Sequence, residues 1–202
     1  QSLSRIRPKI TAILRTRAYY SVPELMNQFK THIWGLMESH NGGIFHAATS
    51  LLAKFDHAQN RFRHELNLNS ARAFLEFNFA PPELRRNIGV LGMLHKRVLG
   101  QCHPGFETLL PWYADRFDTP RGRGHNKQLY GHHVEIIAHQ ALYNRSIFPM
   151  TDIYNNLPQH VVHAPSVSVF QSNLTQLART RCEHGDADWA SSFCRRGGPE
   201  TS

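Results

Sequence analysis

Cysteine is scarce in this sequence, which has Cys102, Cys182 and Cys194 among 202 residues. An odd and sparse set argues against a disulfide-stabilised scaffold, so we expect the nucleus or cytoplasm rather than secretion. The sequence also has no apolar run of 18 residues, which predicts no transmembrane helix. Its N-terminal stretch lacks the apolar centre of a secretory signal. Because residue 1 is Gln and not Met, we expect a piece of a longer protein or a processed product.

Several motifs of nucleotide and hydrolase chemistry are missing. The sequence has no G-x-x-x-x-G-K-[ST] phosphate loop, no G-x-G-x-x-G turn and no G-x-S-x-G nucleophile elbow. These motifs place backbone amides around a phosphate or expose a serine nucleophile at a strained turn. Without them, the sequence predicts neither a nucleotide-binding fold nor an α/β-hydrolase.

Acidic residues are few relative to basic ones. The chain has 15 Asp and Glu against 23 Lys and Arg, which gives a net charge of +8 and a pI near 9.8. Such an excess favours an anionic partner, whether nucleic acid, acidic protein or acidic lipid. Residues 5–19 carry five of the cations and no acid.

Apolar residues recur every three to four positions over most of the chain, the spacing of an amphipathic helix. Ser21 and Ser70 are suitable N-caps, and Gly100 is placed to end a helix. The Gly- and Pro-containing stretch 111–131 predicts a loop, and 146–157 is compatible with a short strand or a turn. We therefore predict a mainly α fold, a helical bundle followed by a loop-rich C-terminal extension. The predicted helices are 5–19, 22–38, 44–66, 70–77, 83–99, 132–143 and 166–182.

Histidines are abundant, and one group has helical spacing. His132, Glu135 and His139 would share one helix face and could supply two imidazoles and a carboxylate to zinc. Such neighbours arise easily in a chain with 14 histidines, and a true site also needs orienting partners. The C-terminal Cys182 and Cys194 likewise do not match the usual spacing of zinc ligands. We predict no metal site, with the 132–139 group as the weak candidate.

Three segments, in order, resemble the region that follows the palm in non-LTR (LINE-type) retrotransposon reverse transcriptases. Residues 45–66 read FHAATSLLAKFDHAQNRFRHEL and are similar to a thumb-region pattern. Residues 77–100 read FNFAPPELRRNIGVLGMLHKRVLG and resemble an APLxxRR…LxxLHK stretch, with Pro82 at the apolar position. Residues 145–174 are similar to an NxLPxxVxxxxSvxxFxxxL ending. The positions that carry the first and third likenesses are Leu52, Asp56, Gln59, Arg61 and Phe62, then Asn155 or Asn156, Leu157, Pro158, Val161, Ser166, Phe170 and Leu174.

The resemblance implies a layout in which this chain lacks the catalytic palm. Residues 1–21 would be a basic helix leading from the palm, 22–110 a thumb-like domain and 111–131 a basic loop. A C-terminal helical extension, 132–182, and a disordered tail, 183–202, would follow. The parent would be an RNA-directed DNA polymerase using Mg²⁺ held by clustered aspartates. The sequence most similar to its tyrosine–x–Asp–Asp hairpin is Tyr113-Ala114-Asp115-Arg116, which has a cation in place of the second acid. We therefore expect this chain alone to be inactive and to contain no cofactor.

The resemblance implies that the chain binds nucleic acid beside the missing palm. The nucleic acid would be RNA or an RNA–DNA duplex. Lys and Arg on helix faces neutralise phosphates with little base specificity. Two alternatives stay open: an all-helical basic module that docks an acidic protein, and an element remnant without a present function. The predicted contacts are Arg61, Arg63, Arg85, Arg86, Lys96, Arg97, Arg121 and Arg123.

Overall fold

The structure, a computed structural model, describes residues 2–38, 46–113, 125–131 and 140–194. These residues are mainly helical, which confirms the predicted fold class. No strand forms among them, and an isolated antiparallel bridge joins Trp112 to Leu129. In chain order the helices are α1 (Ser2–Arg15), α2 (Val22–Phe29), α3 (Gly35–Glu38), α4 (Thr49–Glu65), α5 (Ser70–Phe77), α6 (Pro82–Val98), α7 (Pro104–Leu109), α8 (Gln140–Asn144), α9 (Met150–Asn155), α10 (Gln159–Val162) and α11 (Val167–Glu183), with a π-helical segment at Lys30–Trp34 and a 3₁₀ turn at Trp189–Ser191.

The chain divides into two compact units. The first comprises Gln1–Arg86 and Ala178–Ser192, and the second comprises Asn87–Leu177 and Phe193–Ser202. Two of the three boundaries fall within α6 and α11, so each of these helices contributes residues to both units, and the third lies between Ser192 and Phe193.

The core of the first unit contains the apolar faces that helical spacing predicts. Ile6, Ile10 and Ile13 lie on one side of α1 and are all buried, because residues three and four apart share a helix face. In the same cluster the rings of Phe29 and Phe62 pack with their centroids 4.5 Å apart. The polar side of α1 is left facing solvent.

Helix starts follow local hydrogen-bonding chemistry. At α2, the Ser21 backbone amide donates to the Glu24 carboxylate at 2.7 Å, which satisfies a donor left free by the helix. The Ser21 hydroxyl donates to the same carboxylate at 2.7 Å, and the hydrogen bonds from the side chain and the backbone of Ser21 lower the pKa of Glu24 below its ordinary value. At α5 the expectation of Ser70 as N-cap was wrong: Asn69 caps the helix, and its side-chain oxygen accepts from the Arg72 amide at 2.7 Å.

Several predicted helices change in extent. Residues 22–38 stay helical throughout but pass through the π-helical segment between α2 and α3. The predicted helix 44–66 begins at Thr49. Of the helix predicted over 132–143, residues 132–139 lie outside the described residues, and residues 140–143 belong to α8. The 146–157 segment, compatible with a strand or a turn, forms α9, and Gly100 follows α6 in the left-handed region with a φ of 67°, as its predicted role requires.

The core of the second unit is organised around a buried histidine and tyrosine. The His95 ring stacks on Phe170 with a centroid distance of 4.1 Å. Its Nδ1 lies 3.0 Å from the Tyr154 hydroxyl, and its Nε2 lies 3.0 Å from the Ala164 carbonyl. Because a carbonyl only accepts, Nε2 carries a proton. Burial lowers the pKa of His95 below its ordinary value, which favours the neutral ring, in which Nδ1 accepts from the tyrosine hydroxyl.

Residues 184–194, which belong to the tail predicted as disordered, have buried contacts in the structure. In the first unit, Trp189 stacks on Phe74 with the rings 5.0 Å apart and nearly parallel. Phe193 is also buried. Two aromatic residues in a polar stretch give no periodic pattern, which is why the sequence did not predict these contacts.

Candidate nucleic-acid interface

Six of the eight predicted phosphate contacts lie within the described residues, and they separate into two groups. Arg61 on α4 and Lys96 on α6 are exposed. The other four direct their guanidinium groups toward acceptors or aromatic rings of the protein itself. Those four are Arg63, Arg85, Arg86 and Arg97.

Arg86 forms a two-pronged ion pair with Asp56. Its Nη1 donates to Oδ1 at 2.6 Å and its Nη2 donates to Oδ2 at 2.9 Å. The residue is 9% exposed. The planar guanidinium matches the two carboxylate oxygens, so the pair joins α6 to α4 and takes the charge of Arg86 away from solvent.

Arg85 is held by an aromatic ring and a carboxylate. Its Cζ lies 3.1 Å from the ring centroid of Trp34, and its guanidinium forms an ion pair with Glu38. Burial lowers the pKa of Arg85 below its ordinary value, and Glu38 opposes that shift. Stacking on an aromatic face is a common arrangement for arginine. The guanidinium of Arg85 therefore covers one face of the Trp34 ring.

Two further arginines donate to backbone carbonyls. Arg63 donates from Nη1 to the Leu68 carbonyl at 2.6 Å. Arg97 is buried, and its Nε donates to the Leu110 carbonyl at 3.0 Å. Hydrogen bonds from a charged donor are stronger than neutral ones, so a phosphate contact at either residue would compete with an existing partner.

The remaining candidates from the sequence lie outside the described residues. They are Arg121 and Arg123 of the basic loop and the weak metal candidates His132, Glu135 and His139. In the described part of the chain, no three His, Cys, Asp or Glu side chains group closely enough to hold a metal ion. Cys182 is buried, and Cys194 receives a hydrogen bond from the Asn87 amide.

The exposed face of α1 carries basic residues from Arg5 to Arg15. Its apolar side is buried, and no acid occurs in Ser2–Arg15. Four cations of this helix face solvent, and none has an acidic partner among the described residues: Arg5, Arg7, Lys9 and Arg15. The sequence contained this signal as a run of cations without acids, but its site prediction did not use these residues.

Helix α4 carries a second row of exposed basic and imidazole side chains. Lys54, His57, Arg61 and His64 are separated by three, four and three residues, so they lie along one face of the helix. All four are exposed. This row lies opposite the buried side of α4, which contains Phe55 and Phe62.

The two basic faces belong to helices that pack directly on each other. Arg17, just after α1, contacts Glu65 at the end of α4 with an N–O distance of 3.0 Å. The other carboxylate of α4, Asp56, is bound by Arg86. Every acid on these two helices is therefore neutralised. We call the exposed residues Arg5, Arg7, Lys9, Arg15, Lys54, His57, Arg61 and His64 the α1/α4 basic surface.

Comparison with protein-family models, with curated proteins and with solved structures finds no match to this chain. Across the ranges that the structure describes, no helix combines the length and apolar character needed to cross a bilayer.

Proposed function

We propose that the chain binds nucleic acid by gripping its phosphates with the α1/α4 basic surface. The observation that carries the proposal is a set of six exposed Lys and Arg side chains on two adjacent helices whose own acids are already paired. Phosphates on a nucleic-acid strand are closely spaced, and each cation that neutralises one releases a counterion. Binding of this kind is strong at low salt and tolerant of sequence.

Burial of the apolar side of α1 favours nucleic acid over a membrane surface. A basic amphipathic helix binds lipid by inserting its apolar face between headgroups. In α1 that face consists of Ile6, Ile10 and Ile13, all inside the core of the first unit. The helix keeps only its cationic side available, which suits a polyanion in solution.

We further propose, from the resemblance in three segments, that the chain is the C-terminal part of a retrotransposon RNA-directed DNA polymerase. In that setting the preferred partner is an RNA–DNA duplex, and the protein acts in the nucleus or cytoplasm. The missing palm performs the chemistry with Mg²⁺, while this chain holds the duplex. Of the originally predicted contacts, Arg61 belongs to the α1/α4 basic surface and remains exposed for this role.

The test is binding of the full chain to a labelled RNA–DNA duplex across a salt series, followed by fluorescence anisotropy. Each phosphate that a cation neutralises on a duplex contributes about 0.9 to the slope of log K against log salt. The double variant Arg5→Gln/Lys9→Gln removes two charges from α1 and should flatten the slope by about 2. A charge-matched control, Arg72→Gln/Lys96→Gln, removes two exposed cations from α5 and α6.

Comparison of the two variants distinguishes binding at the α1/α4 basic surface from binding that depends only on the net charge of the chain. A larger reduction in slope for the α1 variant than for the control supports the proposal. Equal reductions, or no duplex binding by a chain that circular dichroism shows to be helical, contradict it. Full competition by poly-glutamate at equal charge concentration would instead favour the module that docks an acidic protein.

A further inference from the structure

Two adjacent tyrosines beside the basic surface face solvent. Tyr19 is 85% exposed and Tyr20 is 45% exposed, and Tyr19 is the most exposed large apolar side chain among the described residues. They follow α1 in the chain, after the turn residues 16–18. Burial of an aromatic ring is stabilising, so contact with a partner that covers these two neighbouring rings would be favourable.

The turn that carries the tyrosines is fixed at both ends. On its N-terminal side, the amide of Tyr19 donates to the Thr16 carbonyl at 2.9 Å. Arg17 holds the same turn to the end of α4 through Glu65. On its C-terminal side, the amide of Ser21 is bound by Glu24. The backbone that carries the two rings therefore has hydrogen bonds on both sides of them.

The charges around the pair identify the chemistry of the partner. Arg15 precedes Tyr19 by four residues and is exposed, and it belongs to the α1/α4 basic surface. Aromatic rings next to cations bind single-stranded nucleic acid, because unpaired bases stack on the rings while the cations hold the phosphates. A base-paired duplex has no free base faces along its length to offer.

We propose that Tyr19 and Tyr20 stack on unpaired bases, so that the preferred ligand is a duplex ending in a single-stranded extension. The duplex lies on the α1/α4 basic surface and the extension crosses the tyrosine turn. This inference rests on the proposed function, since the phosphate contacts of α1 and α4 deliver the strand to the rings. It adds a preference for a junction that charge alone does not give.

The experiment compares three labelled ligands with the full chain at one salt concentration. These are a blunt RNA–DNA duplex, the same duplex with a short single-stranded tail, and the tail sequence alone. We expect the tailed duplex to bind more tightly than the blunt one, and Tyr19→Ser to reduce this advantage by about 5- to 150-fold, the effect of stacking one base. Tyr19→Phe keeps the ring and should keep the advantage.

A matched control removes an exposed apolar side chain of the second unit. Leu142 of α8 is 62% exposed, and Leu142→Ser should leave binding of all three ligands unchanged. Tyr19→Ser should still bind the blunt duplex with the original salt slope, because its cations are intact. Helix content by circular dichroism should be equal in the three variants.

The outcomes separate this inference from the proposed function. Blunt-duplex binding with a steep salt slope but no gain from the tail overturns the tyrosine role and leaves phosphate binding standing. Equal weakening of blunt and tailed ligands by Tyr19→Ser also overturns it. Absence of binding to every ligand contradicts both proposals. Concentration-dependent association that Tyr19→Ser abolishes would assign the rings to contact with a second copy and overturn the inference.

Discussion

The ion pair between Asp56 and Arg86 should be the most important polar contact for the stability of the first unit. Both terminal guanidinium nitrogens of Arg86, Nη1 and Nη2, donate to the carboxylate, at 2.6 and 2.9 Å. The side chains are 11% exposed for Arg86 and 27% exposed for Asp56. In Asp56→Ala the guanidinium stays in place but has neither its counter-charge nor its two acceptors.

The expected cost follows from how far the pair is removed from water. Removing one partner of a fully buried pair destabilises a protein by about 3–5 kcal/mol. Because about a quarter of the Asp56 side chain reaches solvent, water can partly solvate the remaining charge. We therefore expect Asp56→Ala to lower the free energy of unfolding by about 2–3 kcal/mol. The double variant Asp56→Leu/Arg86→Leu should cost less than the sum of the single ones, because no charge is left unpaired.

The assay is urea unfolding followed by far-ultraviolet circular dichroism at neutral pH. Glu65→Ala is the control, since it breaks the exposed Arg17–Glu65 pair, and such pairs contribute less than about 1 kcal/mol. A cost for Asp56→Ala no greater than for Glu65→Ala would refute the reasoning. It would also restore Arg86 as a candidate phosphate contact. If the reasoning holds, Arg86→Ala weakens nucleic-acid binding mainly by unfolding the chain.

Two further predictions concern the second unit. Burial lowers the pKa of both His95 and His125 below the ordinary value of 6.5, so the folded state binds fewer protons and stability is greatest above that pH. As pH falls below 6.5, the free energy of unfolding should decrease by up to about 1.4 kcal/mol per pH unit for each histidine. The variant His95→Gln should reduce this pH dependence. A urea midpoint that stays constant as the pH is lowered below 6.5 would contradict the prediction. Asn155 is buried and exchanges two hydrogen bonds with the backbone of Leu129, at 2.9 and 2.8 Å. Asn155→Ala leaves both groups without a partner and should cost about 2–4 kcal/mol in the same assay, whereas a cost under about 1 kcal/mol would show that water replaces the amide.

The local sequence determined most of the helices. Apolar spacing of three and four residues defined α1, α6 and α11 within a few positions of their observed ends, because a helix face must be apolar to be buried. Gly100 ended α6 because it adopts a positive φ without steric cost. The start of α5 was misplaced by one residue because Asn69 and Ser70 can both act as caps. Which one does so depends on how the helix packs.

The composition of the candidate surface was also visible in the sequence. The run of cations without acids in α1 and the spacing of Lys54 and Arg61 in α4 are both local patterns. A helical pattern states which side of a helix is apolar. It also indicates that the other side contains charge, and this much requires no knowledge of neighbouring elements.

Only the tertiary structure decided which charges remain available. Arg86 was expected to face solvent, but its acceptor lies 30 residues away on α4. Arg97 was expected outward as well, and it donates to the carbonyl of Leu110. A guanidinium is long enough to reach several acceptors, and the acceptor it meets depends on the packing of other helices. The sequence therefore determined that the chain is helical and basic, whereas packing determined that α1 and α4 present that charge while the arginines of α6 are used inside the fold.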